Sequence, residues 1–182
     1  MLVLQGCDLT ERTVGRDGYA YLNSTFTNME THKKIIQAPT RENLADLELF
    51  GAVGHKISEG GGVVIRITIH KVGGGHNERT NLLSLYLKSP DITLGKFRID
   101  DNQILGFYTI GPISTTHLSK FGHTSSGEIS VRKLNNEFHV TYDVSGKFYD
   151  LITTNGGYYG EFHETGEVIV PLEVCCPNAL NL

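Results

Sequence analysis

Apolar and polar residues alternate along much of the chain, with the period of two that a half-buried β-strand produces. In segment 63–70, isoleucines at 65, 67 and 69 share one face, and polar side chains fall between them. Segments 128–132 and 138–144 alternate in the same way. The pattern therefore predicts strands over these three segments. Further strands are predicted at 19–26, 46–53, 82–87, 95–99, 106–110, 147–152, 158–162 and 167–174.

Turn-forming residues separate several of these segments. Asn135-Asn136 tolerates positive φ and predicts a hairpin between two strands. Ser145-Gly146 and Asn155-Gly156-Gly157 predict the next two turns, so segment 128–162 is expected to form an antiparallel meander. A helix signal occurs only at 40–49, where Thr40 could cap a single helical turn before a strand begins.

Short strands at regular spacing, with turn signals between them, predict an all-β fold. We expect an antiparallel β-sandwich, or a closed barrel, with a C-terminal meander and little helix. A chain of 182 residues with 39% hydrophobic residues fits one globular domain. We place that domain at 18–182 and expect the polar, turn-rich segment before it to be part of a tether over 1–17.

Charge argues against one class of partner. The net charge is −4, and the lysines and arginines are scattered rather than gathered into a basic stripe. Nucleic-acid binding is therefore not expected. No run approaches the roughly 18 apolar residues that a membrane-spanning helix requires.

The N-terminal segment 4–7, Leu-Gln-Gly-Cys, resembles the lipobox of bacterial lipoproteins. In that family the cysteine thiol becomes thioether-linked to diacylglycerol, and the peptide is cut just before the cysteine. Lipidation of Cys7 would also leave an even pair, Cys175 and Cys176. Against this, only segment 1–4 precedes the motif and it carries no positive charge, whereas a working signal needs about 7–15 apolar residues after a charged start. The alternative is a short first strand of a cytosolic protein. We favour lipid attachment at Cys7, and hence a membrane partner.

In the second half of the chain, segment 126–134 reads SGEISVRKL and segment 145–148 reads SGKF. These segments resemble the SG-x-I-x-V-x-K-L strand and the following SG-x-F strand of small lipoproteins of Bacteroidota, whose β-sandwich domain has no assigned function. Asn155-Gly156 matches a late NG turn, and segment 95–99 is similar to their LG-x-Y segment. The resemblance implies an envelope location and a β-sandwich, and it implies no activity.

Eight histidines raise the question of a metal site. His70 and His76 flank a glycine run, and Glu78 follows; imidazole and carboxylate groups of this kind are ligands for zinc or iron. The spacing is unspecific, and a long hairpin with exposed polar residues is the preferred interpretation. Cys175 and Cys176 supply only two ligands, which do not make a site. We therefore predict no metal and no cofactor.

Catalytic motifs are also missing. The serines around His117 and His123 lack the G-x-S-x-G elbow that raises a nucleophile beside an oxyanion hole. The glycine run 60–62 lacks the Lys-Ser/Thr of a phosphate-binding loop. The sequence predicts that the protein is not an enzyme, with no catalytic residues assigned.

Tyrosines concentrate in the predicted strands. Neighbouring residues of a strand face opposite sides, so one member of an adjacent aromatic pair must point outward or into a cleft. Exposed tyrosines can stack on sugars or anchor a protein partner, although aromatic residues also simply favour strands. The candidates for contact with a protein or glycan are Tyr108, Tyr149, Tyr158 and Tyr159.

These features predict a non-enzymatic binding or accessory module of the bacterial cell envelope, lipid-anchored at the outer membrane or in the periplasm. One alternative is a structural subunit of a shell, fibre or appendage, inside or outside the cell. A second alternative is a small metal-dependent enzyme with a barrel fold.

Overall fold

A computed structural model describes residues 12–26, 57–72, 78–88, 94–99, 104–110, 120–149 and 158–174. Within these ranges the chain forms strands and no helix, which confirms the all-β prediction. The strands are β1 (Arg12–Phe26), β2 (Ile57–Val72), β3 (Glu78–Leu87), β4 (Leu94–Arg98), β5 (Ile104–Ile110), β6 (Lys120–Leu134), β7 (Glu137–Tyr149) and β8 (Tyr158–Val174). The helical turn predicted at 40–49, the strand at 46–53 and the turn at 155–157 lie outside the described residues.

Strand pairing follows chain order around a single 8-stranded sheet. β4 and β5 lie end to end along one edge of β6, because β4 pairs with its residues 128–132 and β5 with its residues 120–123. β5 also pairs with β3, and the other edge of β6 pairs with β7. The eight strands therefore occupy seven positions, since β4 and β5 share one.

The seven positions close on themselves. β8 pairs with β1, with Ala20 opposite Leu172 and Leu22 opposite Val174, and this pairing is parallel. When an odd number of positions alternates in direction, the first and last must run the same way. The sequence predicted a purely antiparallel arrangement, but the sheet is mixed because of this one parallel pairing. The closed set of pairings favours the closed-barrel alternative over a sandwich of two separate sheets.

One face of every long strand turns toward the inside of this ring and forms the core. The isoleucines at 65, 67 and 69 are fully buried there, as the alternation predicted. Burying such a side chain contributes roughly 1.5–3 kcal/mol. The inward positions predicted for the meander are confirmed too. They are Ile129, Val131, Phe138, Val140, Tyr142 and Val144.

The hairpin at Asn135-Asn136 is confirmed, with Asn135 at a φ of 57°. The turn predicted at Ser145-Gly146 is wrong, because β7 continues through both residues, with Ser145 opposite His163 and Gly146 opposite Phe162. The strand predicted at 147–152 therefore begins as part of β7. Since β7 is paired along both edges, its ladder hydrogen bonds outweigh the weak strand propensity of Ser and Gly.

Two segment boundaries also differ from the sequence prediction. The strands predicted at 158–162 and 167–174 are one continuous strand, β8. β1 begins at Arg12, so residues 12–17, expected in the tether, belong to the sheet. Among the described residues, no helix long and apolar enough to cross a membrane is found.

Candidate functional site

Polar side chains interrupt the apolar lining of the ring, and we call four of them the interior polar cluster: Arg16, Lys71, Tyr142 and Glu164. Each continues the inward phase of its strand, as Lys71 does after the isoleucines of β2. Tyr142 and Glu164 are buried, with 2% and 6% of their surfaces exposed. The alternation within each strand therefore directs these side chains to the interior of the assembled ring.

Arg16 is held by two neighbouring strands. Its Nε donates a hydrogen bond to the Tyr142 hydroxyl at 2.8 Å, and its Nη2 donates to the Thr165 carbonyl oxygen at 2.7 Å. The guanidinium lies against Gly166, which is directly opposite Tyr142 in the ladder. A Cβ at this glycine would lie 2.7 Å from Arg16 Cζ. The guanidinium can therefore occupy this position only because residue 166 has no side chain.

Lys71 and Glu164 form an ion pair inside the ring. Their side chains are only 13% and 7% exposed. Removing two charges from water carries a desolvation cost of several kcal/mol per ion, which the attraction between them must offset. The pair therefore contributes little net stability compared with apolar residues of similar volume.

Tyr142 links the two halves of the cluster. Burial raises the pKa of Tyr142 above its usual range, against the charge and hydrogen bond of Arg16, which lower it. The carboxylate of Glu164 raises the pKa further. The phenol is therefore neutral at physiological pH and serves as an acceptor for the guanidinium.

The cluster carries an unbalanced positive charge. Lys71 and Glu164 neutralise each other, whereas both hydrogen-bond partners of Arg16 named above are neutral. Arg16 is half-buried rather than enclosed, so a ligand can reach it. The arrangement suits binding of a polar, negatively charged group.

The predicted tyrosines occupy strands at one end of the ring. Tyr108 lies on β5, Tyr149 on β7, and Tyr158 and Tyr159 on β8. The register places Tyr149 directly opposite Tyr158. In the neighbouring row, Tyr108 is opposite Gly122 of β6. Cys7 lies outside the described residues.

Two of the histidines contact aspartate carboxylates on other strands of the sheet. His70, a candidate metal ligand, has its Nε2 at 2.8 Å from an oxygen of Asp17, and His163 has the same relationship with Asp143 at 2.7 Å. In the part of the chain that the structure describes, no three His, Cys, Asp or Glu side chains come together in a group that could hold a metal ion. His76 lies outside that part.

A second polar arrangement lies on the outer face of the sheet. Arg66 is directly opposite Ser84, and burial lowers the pKa of this arginine. Its Nε and Nη2, like the Ser84 hydroxyl, make no hydrogen bond to any described residue. These atoms are shielded from solvent, whereas Arg16 of the interior polar cluster is partly exposed. The interior polar cluster is therefore the better candidate site.

None of the four cluster residues was predicted as a site residue. A signal existed for Lys71, since a charge follows three isoleucines at the inward phase of a strand. Tyr142 was predicted to face the core, but its hydrogen bond to Arg16 joins residues 126 positions apart. Arg16 itself lies in the segment expected to be a tether, so no local pattern indicated its role.

No protein-family model matches the chain, and no curated protein or solved structure is significantly similar to it. Its function is therefore inferred from the residues and their geometry.

Proposed function

We propose that the chain is a non-enzymatic binding module of the bacterial cell envelope, and that the interior polar cluster holds its ligand. The observation that carries this proposal is the presence of ionisable side chains facing the inside of a closed ring of strands. Small closed sheets enclose either packed side chains or one small ligand. Ligand sites are mostly apolar cavities with a few convergent polar groups.

Energetics support a functional reason for these residues. Replacing a buried ion pair by apolar residues of similar volume is often neutral or stabilising, so stability alone does not explain Lys71 and Glu164. We therefore take the cluster as a binding feature that the ring maintains at some cost to its stability.

The binding role is tested by native mass spectrometry of protein purified from its own cells. A small molecule retained by the wild type should be lost in the double variant Lys71→Met/Glu164→Leu. The matched control is Lys96→Met/Glu128→Leu, which removes an exposed ion pair with a 2.6 Å separation and should retain the molecule. Equal retention in both double variants, or a wild type without any bound molecule, would reject the proposed site.

The envelope location is supported by the Leu-Gln-Gly-Cys segment at 4–7. A lipid-modified Cys7 would attach the module to a membrane, stably if it carries more than one acyl chain. Mass spectrometry of the native N-terminus decides this point. A mature chain that begins at acylated Cys7 is expected, and an unmodified Cys7 preceded by the intact MLVLQG segment would contradict the anchor.

A further inference from the structure

We infer that the ligand of the interior polar cluster carries a carboxylate or phosphate group, and that this group binds the guanidinium of Arg16. The inference rests on the proposed binding function and adds the chemical class of the ligand. The observations behind it are the hydrogen bonds of the Arg16 side chain, the packing of its guanidinium against Gly166, and its charge.

The guanidinium of Arg16 has N–H groups that its two hydrogen-bond partners do not use. Of the five N–H groups of an arginine, one on Nε and one on Nη2 are used by the Tyr142 hydroxyl and the Thr165 carbonyl oxygen. The second N–H of Nη2 and both of Nη1 are left. One from each nitrogen forms a parallel fork, which matches the two oxygens of a carboxylate or phosphate.

The guanidinium of Arg16 is fixed in position before any ligand binds. Arg16 comes from β1, while Tyr142, Thr165 and Gly166 belong to β7 and β8. A side chain fixed by partners on two other strands loses little further freedom when a ligand binds, and this raises affinity. Gly166 is essential to the geometry, because a Cβ there would also lie 2.8 Å from the Tyr142 hydroxyl oxygen.

The charges around Arg16 favour an anion. Glu164 is the carboxylate of the cluster, and it is paired with Lys71. Asp17 follows Arg16 in the chain, but it lies on the opposite face of β1 and contacts His70. The charge of Arg16 therefore has no carboxylate partner among the described residues, and an anionic ligand would neutralise it in a partly desolvated site where electrostatic attraction is strong.

The test is titration calorimetry with sodium acetate and with inorganic phosphate, against sodium chloride at equal ionic strength. We expect specific binding of acetate, phosphate or both, weakened at least tenfold in Arg16→Gln. Gly166→Ala should weaken it comparably, although Arg16 keeps its charge, because the guanidinium is displaced. Arg12→Gln, an exposed arginine on the same strand, is the control and should bind as the wild type does. The stronger of the two probes identifies the head group as carboxylate or phosphate.

Two outcomes would overturn the inference. One is wild-type protein that shows no heat beyond that of chloride. The other is Arg16→Gln binding as tightly as Arg12→Gln, provided that circular dichroism shows both variants folded. Native mass spectrometry separates this failure from failure of the proposed function. If a neutral molecule is lost in Lys71→Met/Glu164→Leu but retained in Arg16→Gln, the proposed binding function holds and the inference of an anionic ligand fails.

Discussion

Lys71 and Glu164 form an ion pair across the interior of the ring, although their strands are not neighbours, since β1 lies between β2 and β8. Their backbones are therefore two strand spacings apart, and only long side chains reach between them. The pair thus connects strands that share no ladder hydrogen bonds. Because few solvent molecules can screen it, it is sensitive to the loss of either partner.

Loss of one partner should be far more damaging than loss of both. Glu164→Leu leaves the Lys71 ammonium buried without its carboxylate, and we expect a decrease of about 3–5 kcal/mol in the free energy of unfolding. Lys71→Met/Glu164→Leu should return to within about 1 kcal/mol of the wild type or exceed it. Urea denaturation of Glu164→Leu, of Lys71→Met and of the double variant checks this. Additive losses would contradict the coupling.

A second prediction concerns Gly127, which has a φ of +135° in β6. A Cβ there would lie 2.8 Å from Val144 Cα and closer still to the Asp143 carbonyl oxygen. Gly127→Ala should therefore destabilise the protein by about 1–3 kcal/mol in thermal unfolding. Gly61→Ala is the matched control, because nothing lies within 4 Å of its Cβ position. We expect a change within about 0.5 kcal/mol there, and a similar loss at both glycines would refute the backbone argument.

A third prediction uses the alternation of β7. Val140 is fully buried, so Val140→Asp places a carboxylate in the core, and we expect it to abolish folding as measured by circular dichroism. Thr141→Asp changes the exposed neighbouring position and should leave a folded protein. His139→Ala, also on the outer face, should alter neither stability nor metal content. A folded Val140→Asp variant, or loss of bound metal in His139→Ala, would disprove this assignment of faces.

The parts of the fold that could be predicted from sequence are those governed by local alternation. β7 and the part of β2 from residue 65 onward alternate between buried and more exposed positions, so their inward faces follow from the residues. Ser145-Gly146 misled the prediction because turn propensity was weighed without the ladders on both sides of β7. Ring closure was not predictable locally, since it depends on β1 meeting β8 at the far end of the chain.

The candidate site illustrates the same limit. Lys71 occupies an inward position that its own strand reveals, but its partner Glu164 is 93 residues away. The position of the Arg16 guanidinium requires Tyr142 and Gly166 to be opposite each other on β7 and β8, and this depends on strand register. A one-residue slip of a strand would move its side chains to the other face, so these contacts exist only in the assembled ring.

The last prediction concerns alkaline pH. Burial raises the folded-state pKa of Tyr142 above the unfolded value of about 10. The folded protein therefore holds this proton more tightly than the unfolded chain does. The resulting stabilisation is fully present below pH about 10 and is lost as the pH rises through the folded-state pKa.

Tyr142→Phe removes the titrating group, so its free energy of unfolding should fall less steeply above pH 10 than that of the wild type. Tyr19→Phe, at an exposed position on β1, is the control and should follow the wild-type slope. Urea denaturation at a series of pH values between about 8 and 11 measures these slopes. Parallel curves for Tyr142→Phe and the wild type would show that the hydroxyl is not held in its neutral form by the fold.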